Sequence, residues 1–101
     1  MGIINSVFNV ANIPTVYSNE WYRLDFAGKV KHIAQKYEGL FAYNQTLATI
    51  QVEILSLLKE YDVNAGAHVS YSYISRGMTI DLNPYDEAAK NFLLENGISI
   101  D

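Results

Sequence analysis

Residues 40–61, LFAYNQTLATIQVEILSLLKEY, place apolar side chains at Leu40, Tyr43, Leu47, Ile50, Ile54, Leu57 and Tyr61, at alternating intervals of three and four. That spacing is the a/d heptad pattern of an α-helix that buries one seam. A second apolar flank, Phe41, Ala48, Leu55 and Leu58, lies beside it. A helix over 40–61 is therefore expected to be the axis of a small core, its flank covered by its own chain or by another copy. The outer positions Gln45, Thr46, Thr49, Glu53, Ser56, Lys59 and Glu60 are small or uncharged until the last two turns, a face that tolerates a neighbour.

Beyond this helix, Asp62, Asn64 and Gly66 mark a loop. Residues 67–83 then read as a β-hairpin, with Val69, Tyr71 and Tyr73 alternating with serines, and Met78, Ile80 and Leu82 alternating with Thr79 and Asp81. Two registers compete. A three-residue loop with Gly77 left-handed pairs Ile74 with Met78 and sets the tyrosines beside Thr79 and Asp81. A two-residue Arg76-Gly77 loop pairs Tyr73 with Ile80 and Tyr71 with Leu82; it ranks first, because burying Asp81 or exposing two tyrosines costs more than a poor turn. The final helix, 84–96, has Asn83 to cap it, Pro84 at its first position, and Asp86 and Glu87 at its positive end. Ala88, Ala89, Phe92 and Leu93 form its stripe, Gly97 ends it, and Ile98 and Ile100 form a tail.

On the N-terminal side, Tyr22, Leu24 and Phe26 alternate with Trp21, Arg23 and Asp25, which predicts a strand over 20–26. A helix over 27–38 follows, capped by Asp25, with Val30, Ile33, Ala34 and Tyr37 inward and Gly39 stopping it. A competing reading starts that helix at Ser18 and removes the strand. It ranks second because it puts Gly28 in a helix interior. The first thirteen residues, MGIINSVFNVANI, read as a short amphipathic helix ended by Pro14, and the lack of a basic n-region excludes a signal peptide. The fold class is α+β: a small antiparallel sheet, the hairpin 67–83 plus strand 20–26, packed on a long central helix 40–61, with helices 27–38 and 84–96, in one domain over 1–101.

Composition narrows the function classes. Half of the 101 residues are apolar and 18% are charged, so the chain folds rather than staying disordered, and one domain of this length buries roughly 60–65% of its unfolded surface. No apolar run approaches the ~18 residues of a spanning helix. The absence of cysteine removes disulfides, thiolate nucleophiles and cysteine-based metal sites; a cytoplasmic location is expected. A formal charge of −4 disfavours nonspecific nucleic-acid binding. Within 23–36, however, Arg23, Lys29, Lys31 and Lys36 face only Asp25; this reads as a solvated helix face before a phosphate-binding one.

Catalytic, cofactor and metal residues are not identifiable, and an enzyme is not expected. His32 and His68 lie in different elements with no carboxylate at ligand spacing, and His68 near Ser70 and Ser72 lacks an orienting acid. The six glycines stand alone at element boundaries rather than in a phosphate loop. Asp81, Asp86 and Glu87 cluster in sequence, yet the latter two are what a helix start requires. The opening MGIINS meets the spacing of N-myristoylation on Gly2, the one route to a membrane, although no basic cluster follows it.

Eight tyrosines and one tryptophan point to protein contact. Tyr37, Tyr43 and Tyr61 suit the core. Tyr17, Trp21, Tyr22, Arg23, Tyr71 and Tyr73 form the candidate partner surface, with Pro14 beside Tyr17. Phe41, Ala48, Leu55 and Leu58 form the candidate self-association flank, a dimer being favoured. The expected order, strand, helix, helix, strand, strand, helix, resembles the type I KH domain, which binds single-stranded nucleic acid. That family's G-x-x-G loop should lie where this chain has Glu38-Gly39-Leu40-Phe41, and the second helix here is longer, so the function is not carried over. If it did apply, Lys29, Lys31, His32 and Lys36 would be the phosphate ligands. The leading expectation is a non-catalytic, self-associating protein-interaction domain whose partner is another protein; a small acidic chain without motifs also suits a phage or mobile-element inhibitor of a host protein. The alternative is a small-ligand binder or minor enzyme with a pocket of Tyr71, Tyr73 and His68 beside the hairpin.

Overall fold

The computed structural model describes residues 19–100, with side chains from residue 21 onward. The expected N-terminal helix, the Gly2 motif, Pro14 and Tyr17 lie outside the described residues. The chain divides into two compact units, residues 1–38 and 39–101. Among the described residues it is α+β, with four helices and one two-stranded antiparallel sheet.

In the first unit the expected strand 20–26 is a helix, α1 (Asn19–Arg23), followed by α2 (Phe26–Gln35). Six alternating residues are too few to impose a strand when a cap intervenes. Asp25 is extended, at φ −77° and ψ −178°, and its Oδ1 accepts from the Gly28 N–H at 2.7 Å, while its carbonyl accepts from the Lys29 N–H at 2.9 Å. The chain therefore stops one helix and starts another at Asp25, and each of the two sequence readings captured half of this. Gly28 costs little, since it sits in the first turn, where N–H groups have no intrahelical partner. The buried stripe of α2 is Phe26, Lys29 and Ile33; Val30, Ala34 and Tyr37 are only half-buried. Without the first strand, the KH-like order of elements is absent from the described residues.

The second unit is built on α3 (Asn44–Glu60), which lies on a hairpin of β1 (Ala65–Ser72) and β2 (Gly77–Pro84). Ile50, Ile54, Leu57 and Leu58 are the buried face of α3, at the spacing of one helical stripe. The first four residues expected in this helix form a lead-in turn instead, closed by the Tyr43 N–H on the Leu40 carbonyl. The hairpin adopts neither expected register. Tyr71 pairs with Met78, Val69 with Ile80 and Ala67 with Leu82, leaving a four-residue turn, residues 73–76. The ladder is displaced by an even step from the favoured register, so the same side chains keep the same faces: Val69 and Leu82 are buried, and His68, Ser70, Thr79 and Asp81 form the polar face. Arg76, not Gly77, takes the left-handed conformation, at φ 58°.

The last helix, α4 (Glu87–Glu95), starts three residues after the expected position. Asn83 and Pro84 extend β2 instead, and the Tyr85 N–H continues the ladder to the Asn64 carbonyl at 2.9 Å. Asp86 is the cap: its Oδ1 accepts from the Ala89 N–H at 2.8 Å, and its Oδ2 accepts from Asn64 Nδ2 at 3.1 Å. Helices α3 and α4 end alike. Val63 and Asp62 N–H groups return to the carbonyls of Leu58 and Lys59, and Ile98 and Gly97 N–H groups to those of Leu93 and Leu94. Each is a Schellman motif, with Gly97 left-handed at φ 77° but Asp62 in the same position at φ 57°. Ala89 and Leu93 are buried, and the Phe92 ring meets that of Tyr61 at 5.8 Å.

Two outcomes follow from these caps. Asp62→Gly should raise stability by about 0.5 kcal/mol, the left-handed penalty less the extra freedom glycine gives the unfolded chain, read as a higher urea midpoint. The Ala89 N–H, and secondarily the Asn64 amide, hold the Asp86 carboxyl below its ordinary 3.8. Its contribution is therefore complete above pH 3.8 and is lost as pH falls through the lower folded value. Asp86→Ala should lower the melting temperature at pH 7, and that difference should shrink towards pH 2.

Candidate functional site

The hairpin turn, residues 73–76, is internally hydrogen-bonded and exposes a large apolar side chain. Ser72 organises it: its carbonyl accepts from the Arg76 N–H at 2.7 Å and its Oγ from the Ser75 N–H at 3.2 Å. Tyr73 leaves the ladder and packs edge-on against Tyr71, with centroids 5.0 Å apart, and its hydroxyl donates to the Ala42 carbonyl at 3.0 Å. The turn is thereby tied to the lead-in of α3. Ile74 stands at the apex and is 98% exposed; Tyr73 is 71% exposed and Tyr43, next to the tether, is exposed as well. Of the expected partner residues here, Tyr73 is at the surface and Tyr71 is half-buried on the apolar face. Ile74 was missed as a surface residue because the alternation read it as the end of a strand.

The outer side of α3 carries a second apolar patch. Val52 is 62% and Leu55 39% exposed, and Ala48 is exposed one turn before them. Gln45, Ala48, Thr49, Val52 and Glu53 line a shallow groove of about 290 Å³. Of the expected flank, Ala48 and Leu55 face outward, whereas Leu58 is fully buried in its own unit and Phe41 is half-buried. The outward stripe runs Gln45, Ala48, Val52, Leu55, Lys59, again at intervals of three and four. That second periodicity was available in the sequence and identifies Val52.

In the first unit, Trp21 is 4% exposed and is not a surface anchor. Its ring meets His32 at 5.5 Å in an edge-on arrangement, and Lys29 Nζ lies 5.4 Å from its centroid. The buried indole thus packs beside a cationic residue of the following helix. Tyr22 and Arg23 are exposed on α1. The expected phosphate set is dispersed: Lys29 is buried, His32 is half-buried with Nε2 enclosed and unpartnered, Lys36 lies over the Tyr37 ring, and Lys31 is open to solvent.

The sheet separates the residues of the alternative pocket. Tyr71 is on the apolar face, His68 on the polar face opposite Asp81, and Tyr73 in the turn, so the three do not line one cavity. Among the described residues no three His, Asp or Glu side chains are grouped to hold a metal ion, and no helix is long and apolar enough to cross a membrane. Comparison with protein-family models, with curated proteins and with solved structures finds no match.

The placement of Trp21 is open to direct measurement. Trp21→Ala should cost about 3–5 kcal/mol in urea unfolding, as for a buried indole, whereas Tyr22→Ala should stay within about 0.5 kcal/mol. The reverse order would return Trp21 to the surface.

Proposed function

We propose that this chain is a non-catalytic protein-interaction domain that self-associates through the outer face of α3. The observation that carries the reading is Val52, a β-branched apolar side chain 62% exposed in the middle of a 17-residue helix, between Ala48 and Leu55. Helix interiors can be solvated at no cost by Glu, Lys or Gln, so apolar residues at successive outward positions are a surface built for burial. A second copy suits this face because Gln45, Ala48, Thr49, Val52, Leu55 and Ser56 are uncharged, with Glu53 at its side and Lys59 at its end the charges beside them.

The tyrosine-rich turn and the exposed Tyr22 and Arg23 offer further contact to a different protein, in the manner of an acidic inhibitor of a host factor. Tyr and Arg are the residue types that dominate binding energy when desolvated.

Light scattering at two concentrations tests self-association. The wild-type chain should show twice the monomer mass at the higher concentration, and Val52→Glu or Leu55→Glu should restore the monomer without lowering the melting temperature. A strict monomer at millimolar concentration would refute the reading.

A further inference from the structure

The second unit carries a projection and a recess of matching chemistry. The projection is the turn, with Ile74 wholly exposed at its apex and Arg76 two residues on. The recess is the shallow groove on α3, whose lining includes Ala48, Val52 and Glu53.

We infer that the second copy is held by its hairpin turn: Ile74 of each chain seats in the Ala48–Val52 groove of the other, with Arg76 reaching Glu53. This rests on the self-association reading and supplies its arrangement. Three observations carry it. Ile74 makes the least use of its own chain of any large apolar residue described, so docking recovers the whole of its apolar burial. The turn is held by the two bonds to Ser72, by the Tyr73 tether to Ala42 and by the Tyr71–Tyr73 packing, contacts that lower the ordering cost of binding. The charges complement each other: the turn's only ion is a cation, and the groove's only ion is an anion. Glu53 is already engaged within its own chain, but a carboxylate offers about four lone-pair sites and can accept a guanidinium as well.

A lipid surface does not fit the turn, because a single Arg76 on a chain of charge −4 lacks the cationic cluster that anionic bilayers require.

The test uses the full chain and sedimentation equilibrium. Ile74→Asp and Arg76→Gly should each weaken the dimer at least tenfold; glycine suits the left-handed backbone of Arg76, so the second variant keeps the fold while removing the charge. Arg76→Glu and Glu53→Arg should each weaken it, and the two together should restore it to within about threefold of wild type, since exchanging the partners preserves the pair. A dimer untouched by the Ile74 and Arg76 variants but dissolved by Val52→Glu would overturn the docking and leave self-association through α3 standing. A wild-type monomer would overturn both. Monomer that binds phosphatidylcholine–phosphatidylserine vesicles through Ile74 would overturn it in favour of a bilayer.

Discussion

A two-stranded hairpin is marginal in water by itself, and the second unit depends on α3 lying across it. The helix supplies Ile50, Ile54, Leu57 and Leu58, and the hairpin supplies Val69 and Leu82. One polar bond refines the fit. Because Asn64 and Tyr85 are hydrogen-bonded across the ladder, Val69 directs its N–H away from β2, and Gln51 Oε1 accepts it at 3.2 Å. A side chain of α3 thus satisfies a group on the open edge of β1, which holds the helix in register and blunts that edge.

The same helix geometry forces the outer face. With 3.6 residues per turn, burying positions 50, 54, 57 and 58 sends 45, 48, 52 and 55 to the opposite side. Those positions could have been charged at no cost to the fold. Instead they read Gln, Ala, Val and Leu, and the stripe itself carries no charge until Lys59, with Glu53 beside it. The turn shows the same character, since Ile74 is exposed where a hairpin normally carries Asn, Asp or Gly. Two separate departures from an inert surface, within one unit and with opposite charges beside them, are the physical basis for reading this chain as one that binds its own kind.

Much of the fold was legible, for identifiable reasons. The long helix, the hairpin and the last helix rest on periodicities that tertiary packing reinforced, and the α+β class followed from them. The strand over 20–26 failed because Asp25 acts locally, accepting from Gly28 and breaking the chain between two helices. The favoured register, with a two-residue Arg76-Gly77 loop, failed because it kept Tyr73 in the ladder; the Ser72 bonds and the Tyr73 tether instead stabilise a longer turn, residues 73–76. The start of α4 moved because Asn83 and Pro84 serve as well at the end of a strand as at the start of a helix, and Asp86 was free to cap. On the surface, Leu58 and Trp21 were misplaced: heptad bookkeeping cannot tell which of two adjacent stripes is buried more deeply, and no local pattern announces that Trp21 packs beside Lys29 and His32.

The most direct measurement is an isotope-filtered nuclear Overhauser experiment on a mixture of ¹³C-labelled and unlabelled chains, at a concentration where the dimer is formed. Cross-peaks between the Ile74 methyls of one copy and the Ala48 and Val52 methyls of the other are expected. A dimeric sample in which the Ile74 methyls show no intermolecular cross-peak would contradict the account.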